Sequence, residues 1–448
     1  MTDRLWIRGG QVLDRSGLRV ADVFVAAGVI ERVSSGDQSF EDVATGYKEL
    51  DASGCLVSPG LVDMHVHLRE PGGERAETIR SGCRAAAAGG FTTVCAMANT
   101  SPVADTPAVI RLVQREAELA GYCRVVPAGA VSIGLAGERL SPMAELSAAG
   151  VRLFSDDGRC LQNAELMRRA LEYAGQLDCL VSNHAEDANL VCAHGGSAGE
   201  REGVMNEGAE SARLGLPGRP WAAEAVIVER DLALAEMTGA RIHVPHVSTA
   251  AAVEAIAAAK EKGVRVTAEV TPHHLTLTDA ACGTYDPAFR VNPPLRTAND
   301  VEALRSGLRD GVIDAIATDH APHAEEEKER AFEDAPPGMI GLETALSVVL
   351  TELVGPGHLS LENAIAALSW NPAGILRLDM LTGSIEVGVP ADLVVVDLEA
   401  EWVADPSAMQ SLSQNSPFAG KRLKGQVRHT VSQGALVYSD GAFPREIA

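Results

Sequence analysis

His65 and His67 stand two residues apart in the apolar run LVDMHVHL (61–68), and a β-strand would point both imidazoles to one side. An isolated HxH is equally a pair of surface histidines, so the reading depends on whether distant segments aim more ligands at the same point. Such residues do close other apolar runs. Asp157 ends VRLFSDDG, with Asp156 beside it as a competitor; His184 ends CLVSNHAED, His246 ends RIHVPHVST and Asp319 ends VIDAIATDHAPH. His184 taken alone also reads as a helix-cap histidine. Together, four imidazoles and two carboxylates suit one or two borderline divalent cations, zinc first. Six donors exceed what one tetrahedral ion needs, which favours two ions bridged by a carboxylate and a hydroxide. Coordination lowers the pKa of water from ~15.7 to about 7, so a nucleophile is expected at neutral pH. Asp319 is expected to orient it, take its proton and pass that proton to a leaving nitrogen. Making or breaking an amide-like C–N bond is the natural reaction.

Further polar residues surround these. Arg69 follows His67 by two positions and is expected on the same side, able to grip a substrate carboxylate bidentately; its alternatives are pairing with Glu70 or capping the barrel. Asn99 in VCAMANT and Asn292 in RVNPPLR can bridge the carboxylate and amide groups of a small polar ligand, with turn formation as the competing role. His243 precedes His246 by three residues, so strand alternation aims the two oppositely and gives His243 a structural role. His273 and His274 in EVTPHHL are read first as structural or supporting residues.

These residues need a frame. Apolar, β-branched runs at 61–68, 91–98, 123–131, 151–155, 179–183, 241–247, 264–271 and 312–318 read as strands. Between them lie Ala/Leu/Glu-rich stretches with helical periodicity, several ending in Gly. Eight such pairs predict an α/β fold, a (β/α)8 TIM barrel whose active residues sit at the C-terminal strand ends. Both termini read instead as short strands with turns, including a hairpin around Ala27-Gly28. They predict one small β-sandwich domain built from 1–57 and 373–448 around a barrel of 58–372. Segment 321–339, APHAEEEKERAFEDAPPGM, is too charged and Pro-rich for core and reads as a solvated loop or lid.

Composition narrows the class. Of 448 residues, 46% are hydrophobic and 22% charged, and 61 acidic against 38 basic residues leave a formal charge of −23. That field disfavours nucleic acid and anionic membrane surfaces as partners. An anionic substrate would need local arginines. The eight cysteines form no CxxC pair, which argues against a zinc ribbon or a disulfide framework and fits reduced thiols in a cytoplasmic protein. The first residues, MTDRLWIRGG, lack the layout of a signal peptide, and no apolar stretch approaches the ~20 residues of a membrane span.

At DMHVHLREPG, AMANTSP, FSDDG, NHAED, HVSTAAAVE, EVTPHHL, VNPPLR, ATDHAPH and IGLET the chain resembles the amidohydrolase superfamily and, within it, the bacterial class I dihydroorotase family. The motifs span roughly 55–345. The resemblance implies metal binding by His65, His67, Asp157, His184, His246 and Asp319, with Asp157 bridging in two-metal forms. It implies substrate contacts from His67, Arg69, Asn99, Asn292 and His323, with the backbone near Pro337 and Gly338 closing over the substrate. The implied reaction is the zinc-dependent, reversible closure of N-carbamoyl-L-aspartate to (S)-dihydroorotate in pyrimidine biosynthesis. A homodimer and an aspartate transcarbamoylase partner are also implied. Hydantoinases, allantoinases and other dihydroorotase types bridge their metals with a carboxylated Lys. Here Lys occurs only at 48, 260, 262, 328, 421 and 424, none on a strand end between 61 and 248, so Asp157 is the available bridge. Allantoinase typically lacks the Arg at position 69. Relatives that lost metal ligands serve only as transcarbamoylase scaffolds, whereas all six positions are filled here. Pro337 stands where many relatives carry an aromatic residue.

Overall fold

The computed structural model describes residues 4–35, 45–192 and 202–444. Alternating apolar residues at the front of the chain build β1 (Leu5–Asp14), β2 (Gly17–Ala26), β3 (Val29–Ser35), β4 (Lys48–Asp51) and β5 (Leu56–Pro59). The hairpin expected at Ala27-Gly28 joins β2 to β3; both residues take left-handed φ values, 51° and 85°, as a tight two-residue turn requires.

The next strands are β6 (Leu61–Val66), β7 (Phe91–Ala96), β8 (Arg124–Pro127), β9 (Leu153–Ser155) and β10 (Leu180–Ser182). A minor pair, β11 (Met205–Asn206) and β12 (Gly218–Arg219), is followed by β13 (Ile242–Val244), β14 (Val266–Val270) and β15 (Ala315–Ile316). Apart from the minor pair, each arises within one of the eight apolar runs. They run parallel in two arcs, β6-β7-β8 and β9-β10-β13-β14-β15. Single parallel bridges, Gly129 with Phe154 and Val66 with His320, close the arcs into a ring. Covered on both sides, these strands are buried almost throughout rather than alternating between buried and exposed, and the polar residues they carry, such as Asp63 and Glu269, are buried too.

Helices between the strands begin and end on local signals. Side chains of Thr78, Asn163, Thr249 and Thr297 accept main-chain N–H groups at helix starts. Gly121 and Gly239, at φ 67° and 68°, stop two others in the left-handed conformation. No helix among the described residues is long and apolar enough to cross a membrane.

The chain end returns as β16 (Leu393–Val403), β17 (Arg422–Ser432) and β18 (Ala435–Ser439), giving the sheet order β18-β17-β16-β5-β1-β2-β3 with β4 on β1. Ala391 N donates to Gly28 O at 3.0 Å, and a Cβ placed on Gly434 would lie 2.3 Å from Gly28 Cα. The two ends of the strand order thus approach one another, and the sheet folds around Leu5, Ile7, Val23, Val57, Leu393 and Val431 as a sandwich.

One expectation needs correction. Segment 321–339 is not solvated throughout: Phe332, Ala335 and Met339 are 3%, 0% and 1% exposed. Its charges Glu325, Glu326, Glu329 and Arg330 lie on the outer side, while Phe332, Ala335 and Met339 after them pack inward.

Candidate metal centre and substrate cavity

The six predicted ligands come from five strand ends, two of them from β6, and meet on one rim. His65 lies within β6 and His67 just past it; Asp157, His184, His246 and Asp319 follow β9, β10, β13 and β15 by two or three residues. All six are buried. His65 Nε2 lies 3.3 Å from Asp157 Oδ1 and 3.5 Å from Asp319 Oδ1. His67 Nε2 lies 3.4 Å from Asp157 Oδ2 and 3.1 Å from Asp319 Oδ1. His246 Nε2 is 3.6 Å and His184 Nδ1 3.8 Å from Asp157 Oδ1, and these two nitrogens are 3.0 Å apart. Asp157 therefore turns one oxygen toward His65, His184 and His246, and the other toward His67.

Two ligand triads satisfy the spacing of an ion site, His65/His67/Asp319 and His65/Asp157/His246. His65 Nε2 and Asp157 Oδ1 are buried without a hydrogen-bond partner among the described residues. Such orphaned atoms are rare in folded proteins and ask for an ion or water. Electrostatics agree. Burial opposes ionisation of Asp157, yet the imidazoles of His65, His246 and His67 outweigh it and hold the carboxyl well below its usual range. Burial likewise opposes the charge of Asp319, and His65 and His67 lower its pKa. Burial opposes a proton on His65, but Asp157 and Asp319 draw positive charge there. A divalent cation meets the same demand, so the donor set fits one.

The neighbouring Asp156 is spent elsewhere. Its Oδ1 accepts the main-chain N–H groups of Val131 and Ser132, and its Oδ2 the Ser132 hydroxyl, fastening the loop after β8.

Around the cluster lies a cavity of about 170 Å³, lined by His67, Arg69, Asn99, Asp157, Gly158, His184, His246, Asn292, Asp319, Ala321, His323, Pro337 and Gly338. Every predicted site residue except the more deeply set His65 is on its wall. Arg69 leaves the strand direction with φ 59°, donates from Nε to Pro322 O at 3.0 Å and brings Nη2 within 3.5 Å of His323 Nε2. It does not pair with Glu70, whose Oε2 accepts Ile79 N–H at the start of the helix Ile79–Ala88. His246 and Asp319 also take left-handed φ values, 34° and 48°. Strained backbone at non-glycine residues gathers at functional sites.

Two of the expected substrate contacts have a second task. Asn99 Oδ1 lies 2.9 Å from His67 Nδ1, which leaves His67 Nε2 facing the carboxylates. Asn292 Nδ2 lies 3.1 Å from His184 Nε2 and donates to Glu186 Oε2 at 3.2 Å, while Asn292 Oδ1 stays buried and unpartnered among the described residues. At Pro337 and Gly338 the backbone groups are already engaged: His323 Nε2 is 2.8 Å from Pro337 O, Gly338 N donates to Arg290 O, and Asn415 Nδ2 donates to Gly338 O.

Sequence reading missed Glu269 on β14. Its Oε1 lies 2.8 Å from His65 Nδ1 and its Oε2 3.2 Å from His243 Nε2. His243 is therefore not aimed away from the site: β13 ends at Val244, so the alternation does not extend to His246, and His243 reaches the interior one layer below the cluster. Asp63 was missed too; buried beneath the site, it accepts from His65 N and Thr318 N and ties β6 to β15. His274 is engaged by Thr271 and Pro293 O, and His273 Nε2 is buried outside the donor cluster.

The model of the family described as "Amidohydrolase family" matches residues 56–437. A dihydroorotase of Pelotomaculum thermopropionicum is 50% identical over 439 residues, covering 98% of this chain and 99% of that one. A dihydroorotase of Anaeromyxobacter dehalogenans is 48% identical, covering 99% and 100%. Among solved structures, the L-hydantoinase (dihydropyrimidinase) of Arthrobacter aurescens superposes with a TM-score of 0.87 at 26% identity, covering 100% of this chain and 98% of that one. The dihydropyrimidinase of Brevibacillus agri gives 0.84 at 25% identity over 98% and 96%.

Proposed function

The chain belongs to the amidohydrolase family and is a hydrolase of cyclic amides, and on that premise we propose that it is a dihydroorotase. It closes N-carbamoyl-L-aspartate to (S)-dihydroorotate and reopens that ring, a step of pyrimidine biosynthesis. The observation that carries the reading is Arg69 on the wall of the same cavity as the His/Asp donors. Dihydroorotate presents a carboxylate to a guanidinium; a hydantoin or dihydrouracil ring presents none.

His65, His67, Asp157, His184, His246 and Asp319 would hold one or two zinc ions, two being favoured by the six donors, and Asp157 turns its two oxygens toward different histidines. When bound, such ions lower the pKa of a coordinated water to about 7 and polarise a carbonyl. The chain's own residues do the rest. Arg69 grips the substrate carboxylate, with His67, Asn99 and His323 beside it. The unpartnered Asn292 Oδ1 accepts an N–H of the ring, and Pro337 and Gly338 restrict the cavity mouth. Asp319 moves a proton between the water oxygen and the ring nitrogen as the C–N bond breaks, and reverses the transfer on closure. Opening adds water across the ring amide and yields a carboxyl group that ionises. Closure therefore consumes a proton and gains at lower pH.

We extend the proposal to a cytoplasmic homodimer that docks on an aspartate transcarbamoylase, and to a division of the chain at 57/58 and 372/373. Sizing the protein alone and with that transcarbamoylase tests the assembly. The function is tested by stripping the protein with a chelator, reloading zinc and assaying dihydroorotate, dihydrouracil and hydantoin. Zinc-dependent turnover of dihydroorotate that vanishes in Asp319→Ala supports it. Equal turnover of the rings that lack a carboxylate sinks it.

A further inference from the structure

Lys328 sits in the acidic run AEEEKER, where a lysine is expected to extend into solvent. Instead its ammonium turns inward. Nζ donates to Pro336 O at 2.8 Å, Pro287 O at 3.0 Å and Arg290 O at 3.4 Å. All three bonds end on main-chain carbonyls, and they span two segments far apart in sequence. Arg290 reinforces the junction: its Nη1 donates to Phe332 O at 2.9 Å, and its carbonyl also accepts Gly338 N at 2.9 Å. The next two residues after Pro336 are Pro337 and Gly338, which wall the cavity beside Arg69 and His323.

We propose that Lys328 is a positioning residue for substrate binding: by tying Pro336 to Pro287 and Arg290, it sets the Pro337–Gly338 wall against His323 and Arg69. The inference rests on the dihydroorotase reading for its kinetic consequence alone. Burial and the nearby Arg290 push the Lys328 ammonium down to about 7, so this cation is held at an energetic disadvantage. What the ammonium adds is three directed donors at one point, which fix the relative position of two loops.

The test compares wild type with Lys328→Met, of similar length without donors, and Lys328→Arg, which keeps a cation. Two readouts apply: dihydroorotate kinetics on the zinc-loaded protein, and amide hydrogen exchange across residues 330–340, where Gly338 N–H is the reporter. Lys328→Met should raise KM on the order of tenfold and leave kcat within about twofold, because the wall shifts while Asp319 and the metal ligands stay in place. Exchange at Gly338 should quicken about tenfold, Tm should fall only modestly as Pro287 O and Pro336 O lose a donor, and Lys328→Arg should recover part of the KM. Unchanged KM and exchange in Lys328→Met overturn the proposal. So does a joint fall of Tm and kcat at constant KM, which marks a purely structural residue. If wild type fails to turn over dihydroorotate, the functional reading is lost, and the exchange comparison still decides whether Lys328 holds the wall.

Discussion

Glu269 Oε1 lies 2.8 Å from Nδ1 of His65, and both side chains are 1% exposed. Burial disfavours the carboxylate, but His243 and His65 more than offset it and bring its pKa down to about 2. An ionised Glu269 accepts the Nδ1 proton of His65 and so orients Nε2 toward Asp157 and Asp319, where its lone pair would serve a bound cation. Carboxylates behind metal-binding histidines typically change metal affinity 10–100-fold, order of magnitude. Glu269→Gln should therefore weaken zinc binding by about that range with the fold intact, measured by chelator competition and circular dichroism. Wild-type affinity in the variant would reduce Glu269 to filling space.

Arg69 is the second case. A charge-assisted bond to a carboxylate contributes about 1.5–3 kcal/mol, or roughly 10- to 150-fold in kcat/KM. Arg69→Met should lose that much with dihydroorotate, mostly through KM. Metal content should stay at the wild-type level, because Arg69 bonds to Pro322 O and approaches His323 rather than the ligands. Steady-state kinetics with metal analysis checks both halves. A variant as active as wild type would remove Arg69 from carboxylate binding.

What could be read in advance follows physical lines. HxH on a strand was legible because period-2 geometry needs nothing beyond its own segment. Asp157, His184, His246 and Asp319 were legible because a parallel barrel puts the ends of all its strands on one rim. Glu269 was not, since a lone Glu in VTAEVTP looks like the solvent side of an alternating strand until ring closure leaves β14 no solvent side. The parity argument that separated His243 from His246 failed where regular structure stops at Val244 and His246 takes φ 34°. Lys328 was hidden for a related reason: its partners Pro287 and Arg290 lie about forty residues away, and nothing in EEEKER announces them.

Gly338 offers a steric test of the cavity wall. Its φ is 144°, outside the range L residues adopt easily, and a Cβ there would meet His323 Nε2 at 2.7 Å, Ala321 Cβ at 2.9 Å and Ala321 O at 3.0 Å. Gly338→Ala must displace either the wall or His323. A displacement near 1 Å costs on the order of 100-fold in rate, so kcat/KM should fall by about that factor while circular dichroism stays unchanged. Kinetics within about twofold of wild type would mean that the wall does not shape the productive complex.

His323 supplies the pH prediction. Its Nε2 lies 2.8 Å from Pro337 O and 3.5 Å from Arg69 Nη2. Burial first, then the Arg69 and Lys328 cations, push its pKa down to about 3. In the unfolded chain the imidazole titrates near ~6.5. Between those values the unfolded state binds a proton that the folded state refuses, so this group makes folding less stable as pH falls below about 6.5. Above that pH both states are neutral and the effect disappears. One such group changes stability by at most about 1.4 kcal/mol per pH unit. His323→Asn, which cannot take up that proton, should therefore lose less stability than wild type between pH 6.5 and 4.5, and the gap between the two should be constant from pH 7 to 8. Denaturant unfolding of both proteins across that range is the measurement, and parallel curves at every pH would show that His323 does not resist protonation. The same resistance keeps His323 neutral at neutral pH, which leaves Arg69 as the cationic side chain among those lining the cavity.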